Sequence, residues 1–333
     1  MKTIAFFSNR EGVGQTTLVY HLAHMFAERG LSVVAVDLDP QANLSSMWLT
    51  DDRIEELWHS TDHPTISQAL QPLLAGAGDV SEPHLEVIRD GLSLVVGDLS
   101  LSQAEDQLGN QWAGCLNGDR HAFRVVSAVW RMIEAAASKA SADLVLIDVG
   151  PNLAALNRAA LIAANSVVIP LAPDPYSVQA LRTLGPALRQ WRGDWRKRLD
   201  NSRAGGLSLP PGDITPLGYV VMLHGLRPAR PYLFYQRWLA RLPQAYEQSV
   251  LDQAELTPGL KTEHDPHCLA MLRHNRSLMP LALEALKPMF SLKPAEGAVG
   301  AHVAAVRDCY ADFLQLARRI TSAIGIELNG TPA

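Results

Sequence analysis

Two rhythms of apolar residues alternate along the chain. Short runs in which almost every position is apolar have strand length and no polar alternation: Thr3-Ile4-Ala5-Phe6-Phe7, Ser32-Val33-Val34-Ala35-Val36, Leu144-Val145-Leu146-Ile147, Ser166-Val167-Val168-Ile169 and Gly218-Tyr219-Val220-Val221-Met222. Such runs belong to strands buried on both faces, as in a parallel sheet covered by helices. Between them apolar positions recur at helical spacing: Leu18, Leu22, Met25 and Phe26, ended by Arg29-Gly30, then Ala122–Lys139, Asn157–Ala164 and Val178–Trp191. A strand pair is predicted over Glu86–Leu101, folded about the turn dipeptide Asp90-Gly91. The section around Asp51-Asp52-Arg53 and Pro64 is less regular and leads into a short helix near Ile66–Leu74. Ser202–Pro216, rich in Gly and Pro, reads as a surface loop. From Tyr232 onward helices dominate, with a break at Pro294–Gly300. The last helix, Val303–Ile324, sets Val303, Val306, Tyr310, Phe313, Ala317, Ile320 and Ile324 on one face. The order predicts an α/β fold with a mostly parallel sheet flanked by helices and a helical C-terminal region.

The first apolar strand runs into Ser8-Asn9-Arg10-Glu11-Gly12-Val13-Gly14-Gln15-Thr16-Thr17, which opens the first helix. Glycines in a strand–loop–helix setting let successive backbone N–H groups wrap a phosphate at the positive end of the helix. Gly12 and Gly14 supply the curvature, and the Thr16 hydroxyl stands where a Mg²⁺ ligand is needed beside phosphate oxygens. The lysine usual before the Thr pair is Gln15, which offers an amide but no charge. Removing one partner of a buried charge pair costs ~2–5 kcal/mol. Turnover suffers further, because that lysine also offsets charge at the transferring phosphoryl group.

Two more carboxylate segments end predicted strands. Asp37-Leu38-Asp39-Pro40-Gln41-Ala42-Asn43 follows the second strand, and Asp148-Val149-Gly150-Pro151-Asn152 follows a later one. Taken together, the three segments resemble the ParA/MinD group of deviant Walker-A P-loop ATPases, closest to ParA-like partition proteins. That group's loop, K-G-G-V-G-K-T-T, aligns with Arg10 to Thr17, and its D-x-D-P-Q-x-N switch matches Asp37 to Asn43 at every defined position. The resemblance covers most of residues 1–225. It implies a single ParA-like domain over 1–333, in which 226–333 is a mainly helical extension packed on the motif-bearing core.

The resemblance implies ATP and Mg²⁺ as ligands. Glu11, Gly12, Val13, Gly14, Gln15, Thr16 and Thr17 would cradle the phosphates, and Thr16, Asp37 and Asp148 would serve the metal. Asp39 would orient water, Arg10 would reach across a homodimer to the partner's phosphates, and Pro173, Asp174 and Met222 would line the base pocket. Arg10 and Gln15 replace the two motif lysines, and Glu11 replaces a glycine, placing negative charge near polyphosphate; at 4 Å that repulsion is ~1 kcal/mol in water and ~4 kcal/mol at an effective dielectric near twenty. Two functions follow. One is a nucleotide-dependent dimer switch in DNA partition or positioning, with weak or absent hydrolysis. The other is a catalytically inactive pseudo-ATPase acting as a protein-binding or scaffold module.

The formal net charge of −5 excludes a strongly cationic nucleic-acid module but leaves room for a local basic face. The resemblance makes Arg227, Arg230, Arg237 and Arg241 candidates for nonspecific DNA, with plain surface charge an equal reading, and Trp191-Arg192-Gly193-Asp194-Trp195-Arg196-Lys197-Arg198 is a second candidate. For that second cluster, a solvated helix end with its tryptophans folded over a neighbour is an equal reading. A ParB-like or other adaptor is an implied partner. Three scattered cysteines and a strand at the first residues predict a reducing, cytoplasmic setting, nucleoid-associated if DNA is bound. His264 and His267 read as loop histidines unless a third ligand joins them. No apolar run approaches the ~20 residues of a membrane span, and the last helix lacks the lysine-rich face of a membrane anchor.

Overall fold

Val33–Leu38 and Leu144–Val149 are buried at every position, so these strands must lie inside a sheet covered on both faces. The structure, a computed structural model, describes residues 1–60, 64–202, 205–223, 232–273 and 277–328, with the side chains of 232–234 left aside. Its strands are β1 (Lys2–Phe6), β2 (Val33–Leu38), β3 (Glu86–Arg89), β4 (Leu92–Val95), β5 (Leu144–Val149), β6 (Ser166–Leu171), β7 (Thr215–Met222) and β8 (Cys268–Leu272). They form one sheet in the order β3-β4-β2-β5-β1-β6-β7-β8. Every neighbouring pair is parallel except the β3–β4 hairpin.

The helices are α1 (Gln15–Glu28), α2 (Asn43–Trp48), α3 (Asp51–His59), α4 (Ile66–Leu74), α5 (Ala104–Leu116), α6 (Arg120–Val126), α7 (Ala128–Lys139), α8 (Ala155–Ala163), α9 (Pro175–Asp200), α10 (Tyr232–Leu239), α11 (Leu242–Ser249), α12 (Met279–Glu284) and α13 (Ala301–Ile324). They cover the sheet on two sides. Alternate residues of β1 serve opposite cores: Ala5 and Phe7 pack with α7 and α8, whereas Ile4 and Phe6 pack with α1 and α13. The long helix α9 crosses α11 so closely that a Cβ on Gly185 would lie 1.9 Å from the Ser249 carbonyl oxygen. Only glycine fits at that crossing.

Several elements depart from the sequence reading. The region expected to be helical contributes β8, which pairs in parallel with β7 at the sheet edge. Its residues, Cys-Leu-Ala-Met-Leu, include no β-branched side chain to announce a strand. The less regular section holds α2 and α3, the latter capped by Thr50. The helix expected over 122–139 is broken at Ser127, where ψ is 0° and the hydroxyl donates to the Arg124 carbonyl. The terminal helix buries Phe313, Ala317 and Ile320 of the expected face, with Phe313 stacked on His21 of α1 at 4.9 Å, and leaves Val303 at its start exposed. Among the described residues no helix is long and apolar enough to cross a membrane.

Candidate functional site

Parallel pairing brings the loops that leave β1, β2 and β5 to one edge of the sheet, where open α/β sheets place ligands. Phe6 and Asp37 are both in register with Asp148, so the phosphate loop and the two acids emerge side by side. Gly12 and Gly14 have φ of 71° and 82°, a left-handed conformation that costs glycine little. Gly14 stands at the N-cap of α1 and makes no side-chain cap. The loop and the first turn of α1 border a cavity of about 630 Å³, lined by residues 10–17, Asp39, Gln41, Asn43, Pro151 and, from α12, Met279 and Leu283, among others.

Gln15 lines that cavity, but its amide is taken up by protein groups. Its Oε1 accepts from Ser8 N at 2.8 Å, while Nε2 donates to Asp148 Oδ1 at 2.8 Å and to the Val149 carbonyl at 2.6 Å. Both amide hydrogens are used. Arg10 is also engaged within its own subunit: it pairs with Asp174, donates to Ser177 Oγ at 3.0 Å and lies 5.4 Å from the Tyr176 ring centroid. Glu11 is exposed at the cavity rim.

Asp37 and Asp148 are fully buried, at 0% exposure each. Burial, together with the Asp148 charge, pushes the Asp37 carboxyl well above the usual range, against the hydrogen bonds it receives from Ser45 N at 2.8 Å and Ser45 Oγ at 2.7 Å. Burial likewise raises Asp148, with hydrogen bonding from Gln15 and Thr16 opposing it. Asp148 Oδ2 is buried and has no hydrogen-bond partner among the described residues. An orphaned carboxylate oxygen beside a threonine hydroxyl and a second acid fits a divalent cation. No group of three or more His, Cys, Asp or Glu suited to a metal exists among the described residues. Two carboxylates and a hydroxyl are oxygen donors of the kind a hard cation such as Mg²⁺ takes.

The two switch segments are held by short polar contacts. Asp39 Oδ1 accepts from Gln41 N at 3.0 Å, and Ala42 sits at φ 52°. Asn157 of α8 donates to the carbonyls of Gly150 at 2.6 Å and Asn152 at 2.7 Å, fixing the segment after β5. Glu105 of α5 accepts from the first amides of α8, Ala155 and Leu156.

Of the residues expected at the base, Pro173 is buried, Asp174 caps α9 by accepting from Ser177 N at 2.9 Å, and Met222 is a core residue; the apolar lining of the cavity includes Met279 and Leu283 of α12. Ser45, Gly97, Asn157 and Met279 were not singled out by motif. Asn157, a polar residue within an Ala/Leu-rich helix, carried the one visible signal.

The tryptophans of the 191–198 cluster are core residues. Trp195 is at 0% exposure, stacks on Trp112 at 5.7 Å and donates to the Pro210 carbonyl; Trp191 is buried too. The helix-end alternative holds for them, and they present no stacking platform. Arg227 and Arg230 lie outside the described residues. Arg241 instead joins Arg182, Gln179, Gln244 and Trp238 around a cleft of about 470 Å³ between α9 and α11. Its guanidinium stands 4.7 Å from the Trp238 ring centroid. Among the described residues no acid lines that cleft. His264 and His267 have no third ligand among the described residues.

Comparison with known proteins places these features. A family model described as an AAA domain matches residues 1–200. A "ParA family protein" of Chlamydia muridarum is 30% identical over 185 residues, which are 55% of this chain and 64% of the relative, so under two thirds of that protein is spanned. The "Chromosome partitioning protein ParA" of Caulobacter vibrioides is 28% identical over 200 residues, 60% of this chain and 67% of the relative. In structure, the Cyanothece McdA–ATP complex aligns with a TM-score of 0.63 at 15% identity, covering 99% of both chains. That likeness is one of fold.

Proposed function

Since the chain belongs to the AAA-domain family, among its ParA-like P-loop ATPases, we propose that it binds ATP and Mg²⁺ at the edge formed by β1, β2 and β5 and acts as a nucleotide-dependent dimer switch in DNA partition or positioning, with weak or absent hydrolysis. The observation that carries this reading is the buried Oδ2 of Asp148, without a partner among the described residues, beneath a glycine loop that opens α1. McdA, which shares the fold, is known in a complex with ATP. Thr16, Asp37 and Asp148 would hold the metal, which when bound offsets phosphate charge. The amides of residues 12–17 would take the phosphates, and Met279 and Leu283 supply an apolar wall for the base. Asp39 orients water, and Glu11 and Asp39 add negative charge beside the phosphates.

Dimerisation would place the exposed Leu153 and Tyr176, at 41% and 70% exposure, against a second copy. Arg10 would have to leave Asp174 to reach the partner's phosphates, exchanging one charge-assisted contact for another. DNA would meet the cleft of Arg182 and Arg241, and a ParB-like adaptor is the expected protein partner. In this account the protein is cytoplasmic and nucleoid-associated. A second reading, a pseudo-ATPase serving as a scaffold, is favoured by the inward-turned Gln15.

Equilibrium binding of ATP, with and without Mg²⁺, to the full chain and to Asp148→Asn tests the proposal. Metal-dependent binding that the substitution weakens by about tenfold or more supports it. ATP binding indifferent to both refutes the assigned site.

A further inference from the structure

Resting on the nucleotide reading above, we propose that Gln15 and Arg10 strip this site of selectivity for the terminal phosphate, so that nucleoside diphosphate and triphosphate bind alike. In phosphate loops of this type the lysine reaches the β- and γ-phosphates as a mobile point charge. Here its replacement has only two donors, and both are spent, on Asp148 Oδ1 at 2.8 Å and on the Val149 carbonyl at 2.6 Å. Its acceptor is spent on Ser8 N at 2.8 Å. The side chain thus ties the loop to β5, and it has no hydrogen left for a ligand.

The other cation of the loop lines the cavity but is held by protein partners. Arg10 is anchored on the first turn of α9 by Asp174, Ser177 and Tyr176. Asp174 and Ser177 are bound to each other at 2.9 Å, and Ala172 N donates to Ser177 Oγ at 2.9 Å, so the anchor is itself fixed. The polar lining of the cavity comprises the loop residues 10–17 with Asp39, Gln41 and Asn43, and of these Arg10 and Gln15 are already engaged with protein partners. Loop amides and metal serve the inner phosphates of either nucleotide. A third phosphate adds negative charge next to Glu11 and Asp39, and the cation that lines the cavity among the described residues, Arg10, is already paired with Asp174. Nucleotide occupancy and release, rather than loss of the third phosphate, would then set the state of this protein.

The test is calorimetric titration of the full chain with ADP and with ATP, both in excess Mg²⁺, with the integrity of ATP checked by chromatography at the end. Affinities within about threefold of each other, or tighter ADP, are the expected result. Tighter binding of ATP by more than about tenfold overturns the inference while leaving the nucleotide site intact. Absence of binding by either nucleotide at millimolar concentration overturns the site reading and the inference with it. Gln15→Lys should move the preference toward ATP by about tenfold or more. Should that variant fail to fold, the ratio in the unaltered chain decides alone.

Discussion

Replacing Gln15 with alanine separates a structural role from a ligand-binding one. The substitution removes three hydrogen bonds: from Ser8 N, to Asp148 and to Val149. Ser8 is 1% exposed, so its amide is left buried without an acceptor, at a cost of ~1–3 kcal/mol. The bond to Asp148, where the acceptor can be charged, is worth ~1.5–3 kcal/mol, and that to the Val149 carbonyl ~0.5–1.5 kcal/mol. Water entering the vacated space recovers part of this, which leaves a destabilisation of roughly 3 kcal/mol, a large share of a domain stability of ~5–15 kcal/mol. Urea unfolding followed by circular dichroism reads it as a lower midpoint at unchanged slope. Nucleotide affinity, measured on the folded variant, should change by less than about threefold, because the amide donates nothing to the cavity. A variant as stable as the parent within ~1 kcal/mol, yet binding nucleotide about tenfold more weakly, would show that Gln15 faces the phosphates and would refute the argument.

Three further outcomes follow from the same geometry. A Cβ on Gly97 would lie 2.8 Å from both Cγ and Oδ2 of Asp37, so Gly97→Ala should displace that carboxyl from Ser45, destabilise by ~1–3 kcal/mol in calorimetry and weaken metal-dependent nucleotide binding. Burial lowers His21 to about 4 and His24 to about 3, so both are neutral in the fold; their contribution is present above the unfolded value near 6.5 and is lost as pH falls through the folded one. Unfolding at pH 4.5 should therefore cost roughly 2–3 kcal/mol less per histidine than at pH 7, and His24→Gln should flatten the dependence; an unchanged slope would contradict the burial argument. Duplex DNA of arbitrary sequence should be retained in a salt-sensitive manner, and Arg182→Glu with Arg241→Glu should abolish retention, whereas retention indifferent to salt and to these changes would remove the cleft from the account.

Much of this site was legible because parallel strands write their burial as unbroken apolar runs. The acids that end those runs, Asp37 and Asp148, stand out as costly exceptions, and sheet pairing does the rest by bringing them into register. What the sequence withheld depends on contacts between distant segments. Nothing near Gly97 in the chain announces that its amide donates to Ser45, or that Asp37 fills the space where a side chain would be. The loss of charge at Gln15 could be read directly, but not that its amide turns inward, since that follows from where Val149 and Ser8 lie in space. Met279 and Leu283 join the cavity lining from α12, which follows a strand too plain in composition to be foreseen. Trp191 and Trp195 combine helical spacing with flanking arginines, a pattern shared by a core face and a nucleic-acid platform; burial against Trp112 distinguishes them.

The central claim is that occupancy of the cavity by Mg²⁺-nucleotide joins two copies of this chain. Sedimentation equilibrium of the full chain in ATP and Mg²⁺, and again in the presence of a chelator, measures it directly. The account predicts a dimer with metal and nucleotide and a monomer without. A mass that is the same in both conditions, at nucleotide concentrations shown to saturate the site, would contradict it.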